Sequence, residues 1–361
     1  MSTMSVPPGE RYLLLDTRRR LVLSGREWTC LVLLLLPLLM ASASKLDHTW
    51  LLPRGVGFRQ HVGFATIFAI TPLLLLLTSY VLERLVSALR QIDAYCVPVD
   101  EPTRQRITRL AENEIRNLTL NGQTRSVLFL IVLGFFFWFI WNVIHTVDPI
   151  PTYGHDVFDS WNHHLGFVVA KLYVLFALCG VWAIAVFVAL QATYSMVSVL
   201  TFLRKSNALQ INVFHPDNCG GTSCFGSINV AITTIYTLLF LVVVGMGFTH
   251  QRTYAVLNAG ALGCTVFAFS QSFGAIYAIH EVLVAKRDEC LQAISTVLST
   301  QLVSAISAQP SAPFRSDLLA YRHHMLGMST YPYARGAGIL INGLRLVPLV
   351  VSIVTAARSI L

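Results

Sequence analysis

The feature that most constrains this chain is a series of apolar blocks, each about twenty residues long and nearly free of charge. A helical block of that length crosses a hydrocarbon core about 30 Å thick, because a helix rises about 1.5 Å per residue. Charged residues make up 12% of the sequence, about half the roughly 25% of soluble domains. These values exclude an ordinary soluble enzyme and predict an all-α, polytopic bundle of transmembrane helices.

Six blocks qualify as predicted spans. They occupy 28–43, 63–82, 126–144, 165–190, 228–248 and 254–279. The first also resembles a signal peptide, because arginines precede it and small residues end it at 41–43; we favour a retained signal-anchor helix. A further apolar block, 336–357, contains Arg345 and is interrupted by Gly343 and Pro348. It predicts a seventh span, a re-entrant hairpin or a helix lying in the interface.

Basic residues alternate between successive loops, which predicts the orientation of the chain. They are frequent before the first span, between the second and third, and after the sixth, whereas 146–164 has none. Because basic loops stay on the cytoplasmic side, the N-terminus is predicted to be cytoplasmic. The net charge of +8 then indicates contact with anionic headgroups and gives no reason to expect nucleic acid as a partner.

The same alternation divides the chain into successive segments. They are a cytoplasmic N-terminal segment (1–27), two membrane helices (28–82), a basic cytoplasmic helical segment (83–125), four membrane helices (126–285, with an outer loop at 145–164 and a cytoplasmic turn at 204–227), and a cytoplasmic helix with the apolar block (286–361). Apolar residues recur at helical spacing from Ile107 to Leu118, which predicts an amphipathic helix. A similar pattern over 291–306 predicts another helix, which Pro310 ends.

An unusual turn precedes the fifth predicted span. Its residues are His215, Pro216, Asp217, Asn218, Cys219, Gly220 and Gly221. One interpretation is a structural turn, because proline, aspartate, asparagine and glycine are the common turn residues. A second is a metal site, in which His215 and Asp217 act with Cys219 and Cys224. A third is an anion or headgroup site formed by the backbone N–H groups around the two glycines.

This His-Pro-Asp element with its glycine pair resembles a turn of poorly characterised bacterial multi-pass inner-membrane proteins, in which a similar turn precedes a membrane helix. The resemblance covers about a dozen of the 361 residues. Cys219 and Thr222 stand beside the glycines where that pattern has apolar or basic residues. The resemblance implies a bacterial inner (plasma) membrane location and implies no activity.

The predicted outer loop, 145–164, is rich in histidine and aspartate. The candidate ligands for a divalent metal ion are His155, Asp156, Asp159, His163 and His164. Imidazole and carboxylate groups suit zinc, copper, nickel or manganese. Histidines that titrate near pH 6.5 would equally serve as a proton sensor, and an ordinary polar loop is the third interpretation.

Polar residues in or beside the predicted spans are candidates for a pathway or binding site, because a charge in hydrocarbon costs several kcal/mol. The candidates are Lys171, His215, Asp217, Asn258, Gln271, His280 and Glu281. Lys171 is also explained by snorkelling to the interface, and the polar side chains of the sixth span by hydrogen bonds between helices.

No enzyme signature is present: the sequence lacks a phosphate-binding loop, a dinucleotide fingerprint, a zinc-protease helix and a nucleophile elbow. The sequence therefore favours a homo-oligomeric channel or transporter for ions or small solutes. The alternative is a membrane-embedded sensor, effector or signalling subunit that couples the outer loop to cytoplasmic partners. A membrane enzyme that acts on lipid through His215 and Asp217 is a third hypothesis.

Overall fold

A computed structural model describes residues 25–46, 48, 50–51, 59, 62–118, 122–145, 165–212, 215–247, 254–305 and 312–333. Over these ranges the chain is helical, and they contain no β-strand beyond one isolated bridge between Cys96 and Leu209. The helices are α1 (Gly25–Leu46), α2 (Val62–Arg90), α3 (Glu101–Asn117), α4 (Gly122–His145), α5 (Leu165–Phe176), α6 (Ala183–Lys205), α7 (Ser223–Gly247), α8 (Tyr254–Ala305) and α9 (Ala312–Gly327).

Three helical stretches within the described part are long and apolar enough to cross a membrane. They are Phe64–Arg90 in α2, Val168–Lys205 across α5 and α6, and Ser223–Leu241 in α7. Their length and composition fit a membrane protein. Helices α1, α4 and α8 overlap the other three predicted spans, but the six-span count stays a prediction. The apolar block 336–357 lies outside the described residues.

The core of the bundle is formed by α2, α6, α7 and α8. Helix α2 packs along α7, and α8 lies against both α6 and α7. Their shared apolar interior includes Leu85, Leu200, Ile232 and Ile279, each of which is 1% exposed or less. These contacts hold the end of α6, the start of α7 and the middle of α8 beside one another, which positions the candidate site described below.

A π-helical turn, Ala177–Trp182, joins α5 to α6. The indole N–H of Trp182 donates to the hydroxyl of Thr71 at 3.2 Å, and this hydroxyl donates to the carbonyl of Ile67 at 2.7 Å. The next residue, Pro72, has no N–H and so removes one hydrogen bond from α2. The contact therefore links the irregular turn of one helix to the proline-interrupted turn of another.

Helix α3 is the amphipathic helix expected from the spacing of its apolar residues. Asp100 caps its first turn, and Ile107 and Ile115 are buried. The buried face also carries Glu114, which is 4% exposed. A carboxylate oxygen of Glu114 accepts a hydrogen bond of 2.7 Å from the hydroxyl of Ser195 in α6, so the polar group is paired where it is buried.

Helix α8 is longer than the sequence pattern predicts. The predicted helix 254–279 and residues 291–305 of the predicted helix 291–306 belong to one unbroken helix of 52 residues, which is about 78 Å long at 1.5 Å per residue. The intervening residues, 280–290, contain no glycine or proline, so nothing there ends the helix. Helix α9 packs back against α8.

Candidate functional site

Four of the seven pathway candidates lie together at one end of the bundle. We call this region the junction and define it as the turn 215–222, residues 280–281 of α8, and the strap, residues 328–333. The candidates in the junction are His215, Asp217, His280 and Glu281. Each of them is held by a defined interaction with the rest of the chain.

Asp217 organises the turn by accepting three backbone hydrogen bonds. Its carboxylate accepts from the N–H groups of Cys219 at 2.8 Å, Gly221 at 3.1 Å and Ser223 at 3.2 Å. Ser223 is the first residue of α7, whose first N–H groups have no partner within the helix. The backbone nest expected to bind an anion is therefore filled by the chain's own carboxylate, and this arrangement agrees with the structural interpretation of the turn.

His215 adds a side-chain contact to the same carboxylate. Its Nδ1 lies 2.9 Å from Oδ1 of Asp217 and 3.3 Å from the Asp217 backbone nitrogen. The contact with the carboxylate requires a proton on Nδ1, whereas a hydrogen bond from the backbone N–H requires Nδ1 without one. The contact with the carboxylate is the shorter of the two, so Nδ1 is assigned the proton. Burial opposes ionisation of Asp217, but the donors of Cys219, Gly221, Ser223 and His215 outweigh it and hold its pKa below the usual value. Asp217 is therefore ionised at neutral pH.

The backbone of the turn requires residues that accept positive φ. Asn218, Gly220 and Gly221 have φ values of 55°, 67° and 87°. Asparagine and glycine occupy this left-handed region at the lowest cost. A Cβ on Gly220 would also lie 2.7 Å from a methyl carbon of Ile211 and 3.0 Å from one of Leu283, so the turn fits tightly against α8.

Cys219 is buried beneath the turn, and its thiol donates to the carbonyl oxygen of Tyr333 at 3.1 Å. Burial, together with the nearby charge of Asp217, raises the pKa of Cys219 to about 11. The thiol is therefore protonated at neutral pH, which agrees with its donation to the Tyr333 carbonyl. Cys219 acts here as a hydrogen-bond donor to the strap.

The described residues contain no group of three or more histidine, cysteine, aspartate or glutamate side chains that could hold a metal ion. The turn therefore does not bring His215, Asp217, Cys219 and Cys224 together as one ligand set. The ligands predicted in the outer loop lie outside the described residues. They are His155, Asp156, Asp159, His163 and His164, and their metal site stays a prediction.

The strap crosses the start of α7 at very close range. A Cβ on Gly226 would lie 1.6 Å from the carbonyl oxygen of Pro332, so only glycine allows this crossing. The side-chain amide of Asn229 donates to the hydroxyl of Tyr333 at 2.8 Å, and both residues are buried. The backbone N–H of Ser329 donates to the carbonyl of Asn218 at 3.0 Å. The strap thus contacts both the turn and the helix that follows it.

His280 connects the strap to α8. Its Nδ1 lies 2.7 Å from the carbonyl oxygen of Thr330, and this nitrogen must carry a proton because a carbonyl only accepts. The imidazole also stacks on Tyr331, with ring centroids 4.2 Å apart and planes at 17°. His280 therefore has a positioning role that the sequence pattern alone did not indicate.

Glu281 forms an ion pair with Arg204 at the end of α6. The closest nitrogen and oxygen are 2.6 Å apart, and the side chains are 43% exposed for Arg204 and 34% for Glu281. The pair joins α6 to α8 at the same level as the strap. Its partial exposure makes it a weak contributor to stability.

The three remaining candidates are not in the junction. Lys171 is half-buried in α5, about 50 Å along the α5–α6 rod from Arg204 at 1.5 Å per residue. Asn258 and Gln271 belong to α8, but their side chains lie outside the described part of the structure. The structure therefore collects four candidates at one end and separates Lys171 from them.

Sequence reasoning missed two elements of this region, the strap and Glu114. Glu114 follows Ile107 by two helical turns and precedes Leu118 by one, so helical phase alone would have placed it on the buried face. The strap has neither apolar periodicity nor a motif. Its position depends on contacts with residues about a hundred positions earlier.

No model of a known protein family matches this chain, and neither a curated protein nor a solved structure matches it. The resemblance of the His-Pro-Asp turn to that of bacterial inner-membrane proteins therefore stays a prediction.

Proposed function

We propose that this chain is a subunit of a homo-oligomeric membrane channel or transporter for ions or small solutes, and that α8 borders the pathway. The observation that carries the proposal is an uncovered face of α8. Ser270, Gly274 and Tyr277 are exposed and follow one another at intervals of four and three residues, on one side of the helix. Glu281 follows Tyr277 by four residues on the same side of the helix and belongs to the junction.

The chemistry of that face differs from that of the exposed face of α4. Phe129, Leu130 and Phe137 of α4 are 61–64% exposed and are entirely apolar, as expected for contact with lipid. Both faces include a glycine with open space around it, Gly134 on α4 and Gly274 on α8, and the α8 face also exposes Phe273. The difference is that the α8 face adds two residues with hydroxyl groups, Ser270 and Tyr277. Polar and small residues in a membrane helix usually face another helix or a water-filled cavity. This contrast favours subunit contact or a pathway along α8.

Cysteine substitution tests the environment of this face. We expect Ser270→Cys, Gly274→Cys and Tyr277→Cys to react with a membrane-impermeant thiol reagent in proteoliposomes, and to form disulfides between copies on oxidation. Peptide mapping by mass spectrometry separates these sites from the native cysteines. Leu130→Cys on α4 is the matched control and should stay unreactive. If the α8 cysteines are as unreactive as Leu130→Cys, the α8 face is in lipid and the proposal fails.

Flux measurements test transport itself. Proteoliposomes that contain the full chain should pass at least one of Na⁺, K⁺, Cl⁻ and H⁺ or a small uncharged solute, and modification of Tyr277→Cys should reduce that flux. The same modification of Leu130→Cys should leave the flux unchanged. Absence of flux for every ion and solute tested would contradict a channel or transporter.

The second candidate function, a sensor or effector, is favoured by the length of α8. Crossing the hydrocarbon core requires about 20 residues, whereas α8 has 52, so more than half of the helix is available outside it. In situ crosslinking of the full chain in its native membranes should then capture a protein on residues 286–305. Capture there without flux would favour the sensor, and flux without capture would favour the channel.

We also infer that the junction faces the cytoplasm of a bacterial cell. Basic residues cluster at this end of the bundle. They include Arg84, Arg90, Arg204, Lys205 and Arg287. Reporter fusions in a bacterial host test the orientation: a fusion after residue 206 should be active as a cytoplasmic reporter, and a fusion after residue 250 as an exported one. The opposite pattern would reverse the inferred topology.

A further inference from the structure

A cleft of about 400 Å³ lies between α2 and α7 beside the strap. Leu77 and Tyr80 of α2, Val230 and Ala231 of α7, and Tyr333 of the strap line it. The volume falls within the range of roughly 300–1,000 Å³ typical of sites for small molecules. Both helices belong to stretches that are long and apolar enough to cross a membrane, so the cleft lies at a depth that lipid can reach.

The interior of the cleft suits a hydrocarbon chain better than a polar solute. Five residues of its lining carry hydroxyl groups, and three of these groups are engaged within the protein: Ser227 donates to the carbonyl of Cys224 at 2.7 Å, Thr234 donates to that of Val230 at 2.9 Å, and Tyr333 accepts from Asn229 at 2.8 Å. Aliphatic groups and the faces of the Tyr80 and Tyr333 rings form most of the remaining surface. A solute that needs hydrogen bonds would lose its water and gain few partners there.

A positive charge lies beside the cleft. Arg84 follows Tyr80 by one helical turn, and its guanidinium carbon is 5.5 Å from the centroid of the Tyr80 ring that lines the cleft. The Arg84 side chain is exposed, and it makes no ion pair with a carboxylate of the described residues. A guanidinium group binds phosphate through two parallel hydrogen bonds, which a zwitterionic headgroup satisfies less well because its own ammonium competes.

We propose that this cleft binds an anionic phospholipid of the inner leaflet, with one acyl chain between α2 and α7 and the phosphate at Arg84. Tyr333 forms one wall of the cleft and also accepts the hydrogen bond of Asn229, so a bound lipid would contact the strap directly. The lipid is then a structural ligand of the junction, and its binding does not depend on whether the protein transports a solute.

Photolabelling of the purified full chain tests this site. The probe is phosphatidylglycerol with a photoactivatable acyl chain, diluted into vesicles of phosphatidylethanolamine and phosphatidylglycerol. We expect labelled peptides that contain Leu77, Tyr80 and residues 230–234. Arg84→Gln should weaken competition by unlabelled phosphatidylglycerol about fivefold, because one arginine near a charged surface contributes about that factor. Arg109→Gln, an exposed charge on α3, is the matched control and should change nothing.

A cleft-filling variant provides the second test. Thr234→Phe should abolish labelling of α2 and α7 while leaving the labelling of the exposed α4 face unchanged. Each of three lipid-binding results would overturn the proposal: an Arg84→Gln protein that binds as the wild type does, equal labelling by the phosphatidylcholine analogue, or labelling no stronger in the cleft than on α4. Disulfide formation between two copies through Val230→Cys would show a second subunit in the cleft instead of lipid, and would equally overturn it.

Discussion

Two glycines show how differently the two regions of this molecule are built. At Gly226 in the junction, a Cβ would lie 1.6 Å from the carbonyl oxygen of Pro332; at Gly274 on the uncovered face of α8, it would meet nothing within 4 Å. The junction is closed by the chain itself, through the strap, the turn and two side-chain contacts to α8. The α8 face is left open by the described residues. The junction thus stabilises the fold, whereas the α8 face is a surface available to a second copy or a solute.

Alanine substitution of the two glycines should give the largest difference between the two regions. Gly226→Ala should destabilise the protein by about 3 kcal/mol or more, because the new methyl group collides with backbone and the strap must move. Thermal unfolding in detergent measures the loss. Thiol labelling reports the displaced strap, because buried Cys219, whose pKa is raised to about 11 by burial, should become reactive relative to half-buried Cys290.

Gly274→Ala is the matched control on the open face. The added methyl group has space, and alanine favours a helix interior by about 0.5–1 kcal/mol over glycine. The variant should therefore be as stable as the wild type or slightly more stable. Equal destabilisation by the two substitutions would show that the α8 face is as tightly packed as the junction.

The second-largest effect is expected for Asp217→Asn, which should lower the free energy of unfolding by about 2 kcal/mol. The substitution removes a negative charge that accepts backbone hydrogen bonds at the start of α7, and charged hydrogen bonds contribute about 1.5–3 kcal/mol. The pKa of Asp217 is lowered in the folded state, so its contribution is fully present above the unfolded value near 3.9. It is lost as the pH falls through the folded pKa.

Unfolding midpoints measured from pH 7 to pH 3 test the direction of this pH dependence. The difference between wild type and Asp217→Asn should be constant near neutrality and shrink at the acid end. Asp100→Asn is the control, because Asp100 caps the exposed start of α3 and asparagine caps almost equally well. A gap between wild type and Asp217→Asn that widens on acidification would contradict the lowered pKa.

The smallest effect is expected for the ion pair between Arg204 and Glu281. Both side chains are partly exposed, so a double-mutant cycle with Arg204→Gln and Glu281→Gln should give a coupling energy below about 1 kcal/mol. Added salt should reduce it further. A coupling energy of several kcal/mol would mean that the pair is buried in the assembled protein, which would extend the closed region to the end of the α8 face.

The positions of the helices could be predicted because hydropathy and helical phase are local properties of the sequence. Each of the six predicted spans overlaps a helix, and α3 has the amphipathic face that Ile107 and Ile115 indicate. Their continuity could not be predicted: the span at 254–279 and the helix that begins at 291 belong to one helix, α8. Charged residues such as Lys286 and Arg287 end an apolar run without ending a helix.

The junction could not be predicted in the same way, because its contacts join distant parts of the chain. His280, Tyr331 and Tyr333 have no sequence relation that would indicate stacking or a shared hydrogen-bond network. The turn itself was recognisable from its proline, asparagine and glycines. The group that its backbone N–H groups bind could not be recognised from the sequence, since they would serve an external anion or the Asp217 carboxylate equally well.

The position of the strap in the sequence determines when the junction can close. Every other described element precedes residues 328–333 in the sequence, so all of these helices are synthesised before the strap. During that interval the groove at Gly226 is empty, the Asn229 amide has no Tyr333 hydroxyl to meet, and the Cys219 thiol has no carbonyl above it. Chains fold from the N-terminal end as they emerge. Closure of the junction is therefore the last described packing step, and a nascent chain paused before residue 328 should label at Cys219.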